Sequence, residues 1–219
     1  MIKTLSPSIF TLTIALFAVI ASNVVTLTSN TAFAQQEGAE NSKSVLHTAI
    51  FAGGCFWCIE ADFEKLDGVK EVVSGYTGGN ADTADYKTVT YEQTGHLEAV
   101  QVSYDPSVVS YAKLVDYFWR HIDPTDDQGQ FCDKGHSYLS ALFYSNDEEQ
   151  KIAEQSLTKL QEDKPFDAAI VTPLLPAKEF YLAEEYHQDY YKKNPIRYGF
   201  YRRGCGRDNR VAELWGNEK

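Results

Sequence analysis

The sequence predicts an α+β fold in which one compact domain contains a mixed sheet flanked by helices. The 219 residues are 43% hydrophobic and 13% aromatic, which is enough for a sizeable core and too much for a disordered chain. Apolar segments of strand length alternate with stretches that repeat every three or four residues, as buried helix faces do. Both hairpin and crossover links join these segments, which favours a mixed sheet.

The predicted strands are short and are bounded by turn-forming residues. We place them at residues 46–52, 69–74, 86–90, 96–104, 141–144 and 168–172. The first strand runs into Gly53 and Gly54, and a glycine-containing loop at 75–84 follows the second. In the fourth strand both alternating sets of side chains mix apolar with polar residues, so the sequence leaves open which set faces the core.

Apolar periodicity predicts four helices, at residues 56–67, 114–122, 147–160 and 179–193. Gly68 ends the first, Asn146 or Asp147 caps the third, and Pro195 follows the fourth. An acidic loop at 123–133 separates the second helix from the next strand. The chain ends in a glycine-rich basic tail, which we interpret as a solvated surface rather than a guide for an acidic partner: Lys192, Lys193, Arg197, Arg202, Arg203, Arg207 and Arg210.

The first 34 residues have the pattern of a secretory signal peptide. Lys3 is their only charge, an apolar run at 9–21 follows, and Ala32-Phe33-Ala34 forms a small-residue cleavage site. An uncleaved membrane anchor is the alternative, but the run is shorter than the about 20 residues that a spanning helix needs. We therefore expect a periplasmic or secreted protein without stable membrane association after cleavage. The predicted segments are a signal peptide at 1–34, a polar leader at 35–43 and the folded domain at 44–219.

The charge and the cysteine count exclude two classes of protein. With 31 Asp and Glu against 20 Lys and Arg, the net charge is −11, which argues against a nucleic-acid partner because such binders need a basic footprint. Four cysteines in a chain of this length do not make a disulfide scaffold. A redox pair, a zinc site and two disulfide bridges stay open.

The most informative local feature is the segment that contains Cys55 and Cys58. Cys55 lies where a predicted strand meets a helix, and the free N–H groups at the helix start favour a thiolate and lower its pKa. Gly53 and Gly54 permit a tight turn and leave the sulfur accessible. Cys58 follows one helical turn later, at a spacing compatible with a disulfide.

Three other interpretations of these cysteines compete with a reactive thiol. Both could be buried and inert, since free cysteine is often buried. Cys55, Cys58, Cys132 and His136 form an acceptable zinc-ligand set, although Phe and Trp between the first pair are untypical of a zinc knuckle. A thioredoxin-like disulfide exchanger also has a strand, a Cys-x-x-Cys segment and a helix in this order, but this sequence lacks a proline near the start of a later strand.

Several motifs, in the same order, resemble those of the A-type peptide methionine sulfoxide reductases. The resemblance covers residues 44–215, nearly the whole predicted domain. It implies a ferredoxin-like arrangement of the α+β fold. The motifs are Gly-Cys-Phe-Trp-Cys at 54–58, Gly-Tyr-Thr-Gly-Gly at 75–79, Thr-Gly-His-Leu-Glu-Ala-Val at 94–100, Tyr-Asp-Pro at 104–106, Phe-Trp at 118–119 with Asp-Pro at 123–124, and Tyr-His-Gln-Asp-Tyr at 186–190.

The resemblance implies a role for each residue of the site. Cys55 would attack the sulfoxide sulfur of oxidised methionine in proteins or as the free amino acid, with the S epimer preferred. Glu98 would supply the proton that the oxygen needs, because burial in an aromatic pocket would raise the pKa of its carboxyl. Of the remaining residues, Tyr86 and Tyr138 would bind the oxygen, Asp133 would brace the site, and Phe56 and Trp57 would line the methyl pocket. Residues 133–139 lack the family's usual Thr-Gln before the tyrosine and Arg after it, which concerns substrate contacts.

The resemblance also implies how the enzyme would be recycled. The sulfenic acid formed on Cys55 condenses readily with a second thiol. We rank Cys58 first as the resolving thiol because it is nearest in sequence, then Cys205, then Cys132. The resulting disulfide would need an outside dithiol, which for an exported enzyme is a thioredoxin-like protein of that compartment. This chemistry requires no metal and no cofactor.

Overall fold

A six-stranded sheet lies at the centre of the structure, a computed structural model that describes residues 45–216. Its strands are β1 (His47–Gly53), β2 (Val69–Thr77), β3 (Leu97–Tyr104), β6 (Ser140–Tyr144), β7 (Leu174–Pro176) and β8 (Phe180–Leu182). Two more strands, β4 (Gly129–Gln130) and β5 (Asp133–Lys134), form a separate hairpin. The signal peptide predicted at 1–34 and the leader at 35–43 lie outside the described residues.

Three of the helices pack against one face of the sheet, and the last three form the carboxyl-terminal part of the domain. They are α1 (Phe56–Phe63), α2 (Tyr86–Tyr91), α3 (Tyr111–Trp119), α4 (Asp147–Asp163), α5 (Tyr190–Lys193), α6 (Pro195–Cys205) and α7 (Arg207–Trp215). Side chains of Asp85, Ser110 and Asn146 cap α2, α3 and α4 by accepting a backbone N–H from the first turn. In residues 45–216 no helix has the length and apolarity that a membrane crossing requires.

The order of strands makes the sheet mixed and curled. It runs β7-β6-β1-β3-β2-β8, and every neighbouring pair is antiparallel except β6 and β7. The two edge strands are joined by residues 177–179 alone, which reach at most about 14 Å from Pro176 to Phe180. Because six flat strands would span about 24 Å, the sheet must curl so that its edges approach each other. The predicted α+β class is confirmed, while the ferredoxin-like description fits only loosely.

The register of β3 decides which of its side chains face the helices. Leu97 and Ala99 lie inside the curl, with Ile50, Ala141 and Phe143. The alternate positions Glu98, Val100, Val102 and Tyr104 are buried, and the apolar three pack into the main core under α1, α3 and α4. A carboxyl group in a row of buried apolar side chains is expensive unless it has a partner, so Glu98 is the residue of this strand that needs explaining.

Three of the predicted elements are wrong. Residues 86–90 form helix α2 because the Asp85 carboxylate accepts the Thr88 N–H and caps it, although β-branched residues favoured a strand. Residues 168–172 are not a strand: pairing begins only at Leu174, after Pro173, which has no N–H to donate. The predicted helix 179–193 is shortened to α5, because residues 180–182 pair with β2 as strand β8.

The basic tail is helical and partly buried, which corrects its interpretation as a solvated surface. The Arg207 guanidinium is enclosed and donates to the carbonyls of Gly53, at 3.2 Å, and His121, at 2.9 Å. Arg202 pairs with the buried carboxylate of Asp62 at 3.0 Å. These contacts tie α6 and α7 to the corner between β1 and α1, so the tail is part of the folded domain.

Candidate active site

Cys55 lies at the corner between β1 and α1, as the residue that precedes the first helical turn. The corner needs two glycines for different reasons. Gly54 has a left-handed φ of +79°, and a Cβ there would lie 2.5 Å from Gln130 Cβ. A Cβ on Gly53 would lie 2.5 Å from Ile59 Cδ1. The Gly-Gly-Cys sequence therefore follows from the close packing of strand, helix and loop at this corner.

The carboxyl group of Glu98 takes the place at the helix start that we predicted for a thiolate. Its Oε2 accepts the Phe56 N–H at 3.0 Å, and the side chain is only 2% exposed. This N–H is one of the helix donors that have no partner within the helix. The hydrogen bond joins the centre of the sheet to the first turn of α1 and holds the carboxyl group beside Cys55.

The predicted site residues meet around one small cavity of about 70 Å³. Its walls combine one thiol, two carboxyl groups, three phenols and two further aromatic side chains, from five parts of the chain. These residues are Cys55, Phe56, Trp57, Tyr86, Glu98, Asp133, Tyr138 and Tyr201. Seven of the eight were predicted from the sequence, and Tyr201 was missed.

Tyr201 reaches the cavity from α6 and hydrogen-bonds to the carboxylate of Asp133. Its ring also meets the edge of Trp57, with 5.8 Å between centroids. The sequence contains 14 tyrosines, and nothing in its pattern distinguishes this one. Only the folding of α6 back over the β1–α1 corner brings it to the site.

Trp57 is held at the cavity by contacts with two residues of the segment before α5 and at its start. Its ring stacks on Tyr190 with centroids 3.7 Å apart, and its Nε1 donates to His187 Nδ1 at 3.0 Å. Phe56 packs against His187 and is itself buried. The aromatic rings of Phe56 and Trp57 therefore line the same cavity as Glu98 and the phenols.

Comparison with known proteins identifies the family. A sequence profile described as peptide methionine sulfoxide reductase matches residues 47–219.

The chain belongs to the peptide methionine sulfoxide reductase family.

Individual relatives agree with this assignment. The MsrA 2 protein of Staphylococcus aureus (strain MRSA252) is 49% identical over 170 residues, covering 78% of this chain and 96% of the relative. The MsrA protein of Bacillus velezensis is 52% identical over 167 residues, covering 76% and 94%. The MsrA/MsrB protein of Vibrio cholerae serotype O1 is 44% identical over 208 residues. This match covers 95% of this chain but only 52% of the longer relative.

Solved structures give the same result for the fold. Mxr1 from Saccharomyces cerevisiae in its reduced form has 36% identity and a TM-score of 0.60, covering 69% of this chain and 87% of Mxr1. Methionine sulfoxide reductase A of Corynebacterium diphtheriae has 31% identity and a TM-score of 0.61, and the match covers 69% of this chain and 76% of the Corynebacterium chain.

Burial sets the protonation of the polar groups in this reductase-family site. It raises the pKa of the Glu98 carboxyl to about 8, against the opposing effect of the Phe56 N–H, so the group carries a proton at neutral pH. Burial also raises the pKa of Asp133 and of the phenols of Tyr86 and Tyr138. The site therefore offers a carboxylic acid and two hydroxyl groups as hydrogen-bond donors.

The free thiols of Cys55 and Cys58 are only 5% and 2% exposed and share a hydrogen bond. Burial, and then the neighbouring Cys58, raise the pKa of Cys55 well above its usual value. The hydrogen bond from Cys55 and the positive charge of Arg207 lower the pKa of Cys58 to about 7, although burial opposes this. The predicted lowering of the Cys55 pKa is thus wrong for the substrate-free site, because the thiol is desolvated and lies beside Cys58 and Glu98, whose negative charges oppose its ionisation.

The other two cysteines form a disulfide. Cys132 and Cys205 are bonded to each other across 73 residues, and Cys132 is exposed. Cys205 Sγ lies 3.8 Å from the Asp133 carboxylate, so the disulfide stands beside the cavity wall. Cys132 and Cys205 are therefore oxidised to a disulfide, whereas Cys55 and Cys58 are neighbouring free thiols.

The zinc-ligand set considered from the sequence does not form. Cys132 is bonded to Cys205, and His136 lines a different cavity, one of about 550 Å³. Within residues 45–216, the groups with three or more potential metal ligands are of other composition: Cys132, Asp133 and Cys205, and Glu60, Glu64 and Asp189. The tertiary arrangement gives no support to a zinc-stabilised module built on Cys55 and Cys58.

The protonation of Glu98 is directly measurable. We expect infrared difference titration to show a carboxyl group that ionises near pH 8 and that Glu98→Gln removes. Glu60→Gln is the matched control. Because burial raises the pKa of Glu60 to about 7, this substitution should remove a different infrared signal, one that titrates near pH 7, and leave the signal near pH 8. A signal near pH 8 that survives in Glu98→Gln would contradict this assignment.

Proposed function

We propose that this protein reduces methionine S-sulfoxide, in oxidised proteins and as the free amino acid, back to methionine. The Staphylococcus and Bacillus relatives are named as peptide methionine sulfoxide reductases, and the chain covers almost their whole length. The observation that carries the proposal is the cavity that a thiol, a protonated carboxyl and two phenols line together with the rings of Phe56 and Trp57. A sulfoxide needs these groups: a nucleophile for sulfur, an acid and donors for oxygen, and an apolar surface for the methyl group.

The first step transfers the sulfoxide oxygen to Cys55. Cys58, with a pKa of about 7, accepts the hydrogen bond of the Cys55 thiol and takes its proton as the Cys55 sulfur bonds to the sulfoxide sulfur. Glu98 gives its proton to the oxygen, which Tyr86 and Tyr138 hold by hydrogen bonds. The oxygen ends on Cys55 as a sulfenic acid, and methionine leaves in its reduced form. Asp133 acts as a brace, because it anchors Tyr201 at the cavity wall.

The second step forms a disulfide and releases water. We propose Cys58 as the resolving thiol, because it already contacts Cys55 on the same turn of helix α1. Cys205 and Cys132 rank behind it, since in the structure each is bonded to the other and has no thiol to offer. Two electrons from a thioredoxin-like dithiol protein then restore the thiols.

The reductase activity predicts a stereochemical result. We expect the purified protein with dithiothreitol to consume methionine S-sulfoxide and to leave the R epimer. Chromatographic separation of the two epimers measures how much of each is consumed. No consumption of the S epimer would exclude the proposed function. Reduction of insulin disulfides without sulfoxide consumption would instead support a thioredoxin-like exchanger.

The same assay tests the acid. Glu98→Gln keeps the size of the side chain but has no proton to give, so the rate should fall about 10²- to 10⁴-fold. In the unmodified protein the rate should fall above about pH 8, where Glu98 ionises, and below about pH 7, where Cys58 is protonated. Glu98→Gln should lose the alkaline decline.

The resolving thiol is identified by what accumulates without it. In Cys58→Ser we expect one stoichiometric reduction of sulfoxide, slower than in the unmodified protein because the thiolate that takes the Cys55 proton is lost. We also expect a sulfenic acid on Cys55 that dimedone traps, and no further turnover with thioredoxin. Cys205→Ser is the matched variant and should not accumulate the sulfenic acid. If only Cys205→Ser stops the cycle, the ranking is wrong.

We also propose that the enzyme works in the periplasm or outside the cell, supported by the signal-peptide pattern at residues 1–34. Expression of the full chain in a bacterium with a periplasm should give an exported protein whose first residue is Gln35. Ala34→Lys should prevent cleavage, because the enzyme that removes signal peptides needs a small residue there. A full-length protein in the cytosol would contradict the proposal.

A further inference from the structure

A second cavity, of about 550 Å³, lies inside the curl of the sheet and takes no part in the proposed reaction. Leu97 and Phe143 form its buried base, and Val171 and Leu175, 43% and 37% exposed, lie at its mouth. Ligand sites in proteins typically have volumes of about 300–1,000 Å³, so this one is large enough to hold several side chains. We call it the apolar cavity.

The apolar cavity and the catalytic cavity share two elements of the fold. Successive side chains of a strand point to opposite faces of a sheet, so Leu97 lines the apolar cavity and Glu98 lines the catalytic one. The short 3₁₀ turn His136–Tyr138 divides its side chains in the same way, with His136 in the apolar cavity and Tyr138 in the catalytic one. Both cavities therefore lie at the same end of the sheet, one on each of its faces.

The surface between the two cavities is exposed. Lys134, Gly135 and His136 are all exposed, and a Cβ on Gly135 would meet no atom of residues 45–216 within 4 Å. An extended polypeptide advances about 3.3 Å per residue, so about three to four residues span the about 10–12 Å width of a helical turn with its side chains. A polypeptide whose oxidised methionine lies beside Cys55 can therefore reach the apolar cavity as well.

The rim of the apolar cavity carries hydrogen-bonding groups of both charges. Asp127, His136 and Lys178 are exposed there, around apolar walls. An apolar centre with a polar rim is the usual composition of a surface that binds a protein. The mixed charge does not favour a ligand with a single charged head group, whereas a peptide backbone offers both donors and acceptors.

We propose that the apolar cavity binds apolar side chains of a client polypeptide whose methionine sulfoxide occupies the catalytic cavity. By the width of the turn between the cavities, these side chains belong to residues about three to five positions from the methionine. Oxidation makes a buried methionine polar and disrupts the core around it, so the chain on either side is rich in apolar residues. This inference rests on the proposed reductase function, because an oxidised polypeptide enters the site only as a substrate.

The positions at which the sequence departs from its motif agree with this assignment. Residues 133–139 differ from the motif that they resemble at His136, Ser137 and Leu139, and two of these three residues line the apolar cavity. Asp133 and Tyr138, which the motif retains, line the catalytic cavity. The departure therefore alters the surface that a client meets beyond the catalytic cavity.

Three peptides of equal length test whether a client reaches the apolar cavity. Each has a central methionine S-sulfoxide in a chain of Ser and Gly, with a Leu-Leu pair four and five residues before it, the same pair after it, or Ser-Ser at both places. With dithiothreitol as the reductant, we expect kcat/KM to be about tenfold higher for at least one Leu peptide than for the Ser peptide, mainly through a lower KM, because a leucine side chain is removed from water.

Variants of the cavity mouth show where the preference arises. Leu175→Glu places a charge at the mouth and Val171→Trp narrows it, so each should reduce the preference to less than about twofold. Both should leave the reduction of free methionine S-sulfoxide unchanged, because the free amino acid occupies only the catalytic cavity, and this also reports an intact fold. Val108→Glu is the matched control and should keep the preference: Val108 is 59% exposed and follows β3 at the opposite end of the sheet.

The proposal is overturned if the three peptides are reduced equally, or if the preference survives in both mouth variants. It is also overturned if both variants change the rate with the free amino acid, which would assign the cavity to a separate small ligand. A dimer in sedimentation that both variants dissociate would assign it to a second copy of the chain. Failure to reduce free methionine S-sulfoxide counts against the proposed function, whereas equal reduction of the peptides counts against this inference alone.

Discussion

The burial of Glu98 against the first turn of α1 is the constraint on which the site depends. A carboxyl group in this position costs several kcal/mol unless it is hydrogen-bonded or protonated. Here it is both: the Phe56 N–H donates to Oε2 at 3.0 Å, and the raised pKa keeps a proton on the group. The bond connects the middle of the sheet to the helix that begins at Cys55. The positions of the acid and the nucleophile are therefore set by one interaction.

The remaining acidic side chains on the buried side of α1 secure the surrounding elements. Glu60 accepts the Ser74 hydroxyl at 2.7 Å and the Asp189 N–H at 2.6 Å, which links the helix to β2 and to the segment before α5. Asp62 pairs with Arg202 and Arg207 of the carboxyl-terminal helices. Each of these charges would be costly alone, and breaking a buried pair leaves the other charge uncompensated. Helix α1 thus contributes buried hydrogen bonds and ion pairs to the surrounding elements as well as apolar side chains to the core.

The two cysteine pairs occupy different environments, and their chemistry differs accordingly. Cys55 and Cys58 are enclosed, where water is excluded and the electrostatic effects of nearby charges are strong. Cys132 is exposed, and its disulfide partner Cys205 is half-buried at the end of α6. The sulfoxide chemistry proposed for Cys55 needs the first environment. Asp133 lies between the two pairs, at the cavity wall and 3.8 Å from Cys205 Sγ.

Local patterns in the sequence determined a large part of this protein. The strand before Gly53, the apolar stripe of α1 and the cap of α4 depend on neighbours within a few residues, and all three are as predicted. The order of motifs singled out Cys55, Glu98, Phe56 and Trp57, which the structure brings to one cavity. Two local patterns misled the prediction. At α2, β-branched residues suggested a strand, but the Asp85 cap favours a helix. At β8, a tyrosine-rich stretch resembled a helix, but long-range pairing with β2 makes it a strand.

Only the tertiary structure decided what depends on distant parts of the chain. It placed Tyr201 in the cavity, turned Glu98 toward α1 rather than into the curl of the sheet, and bonded Cys132 to Cys205 across 73 residues. It also reversed the expected effect on the Cys55 pKa, because desolvation and the contact with Cys58 are properties of the packed site. Periodicity and motifs report which residues can react, whereas burial and long-range contacts determine their protonation and their partners.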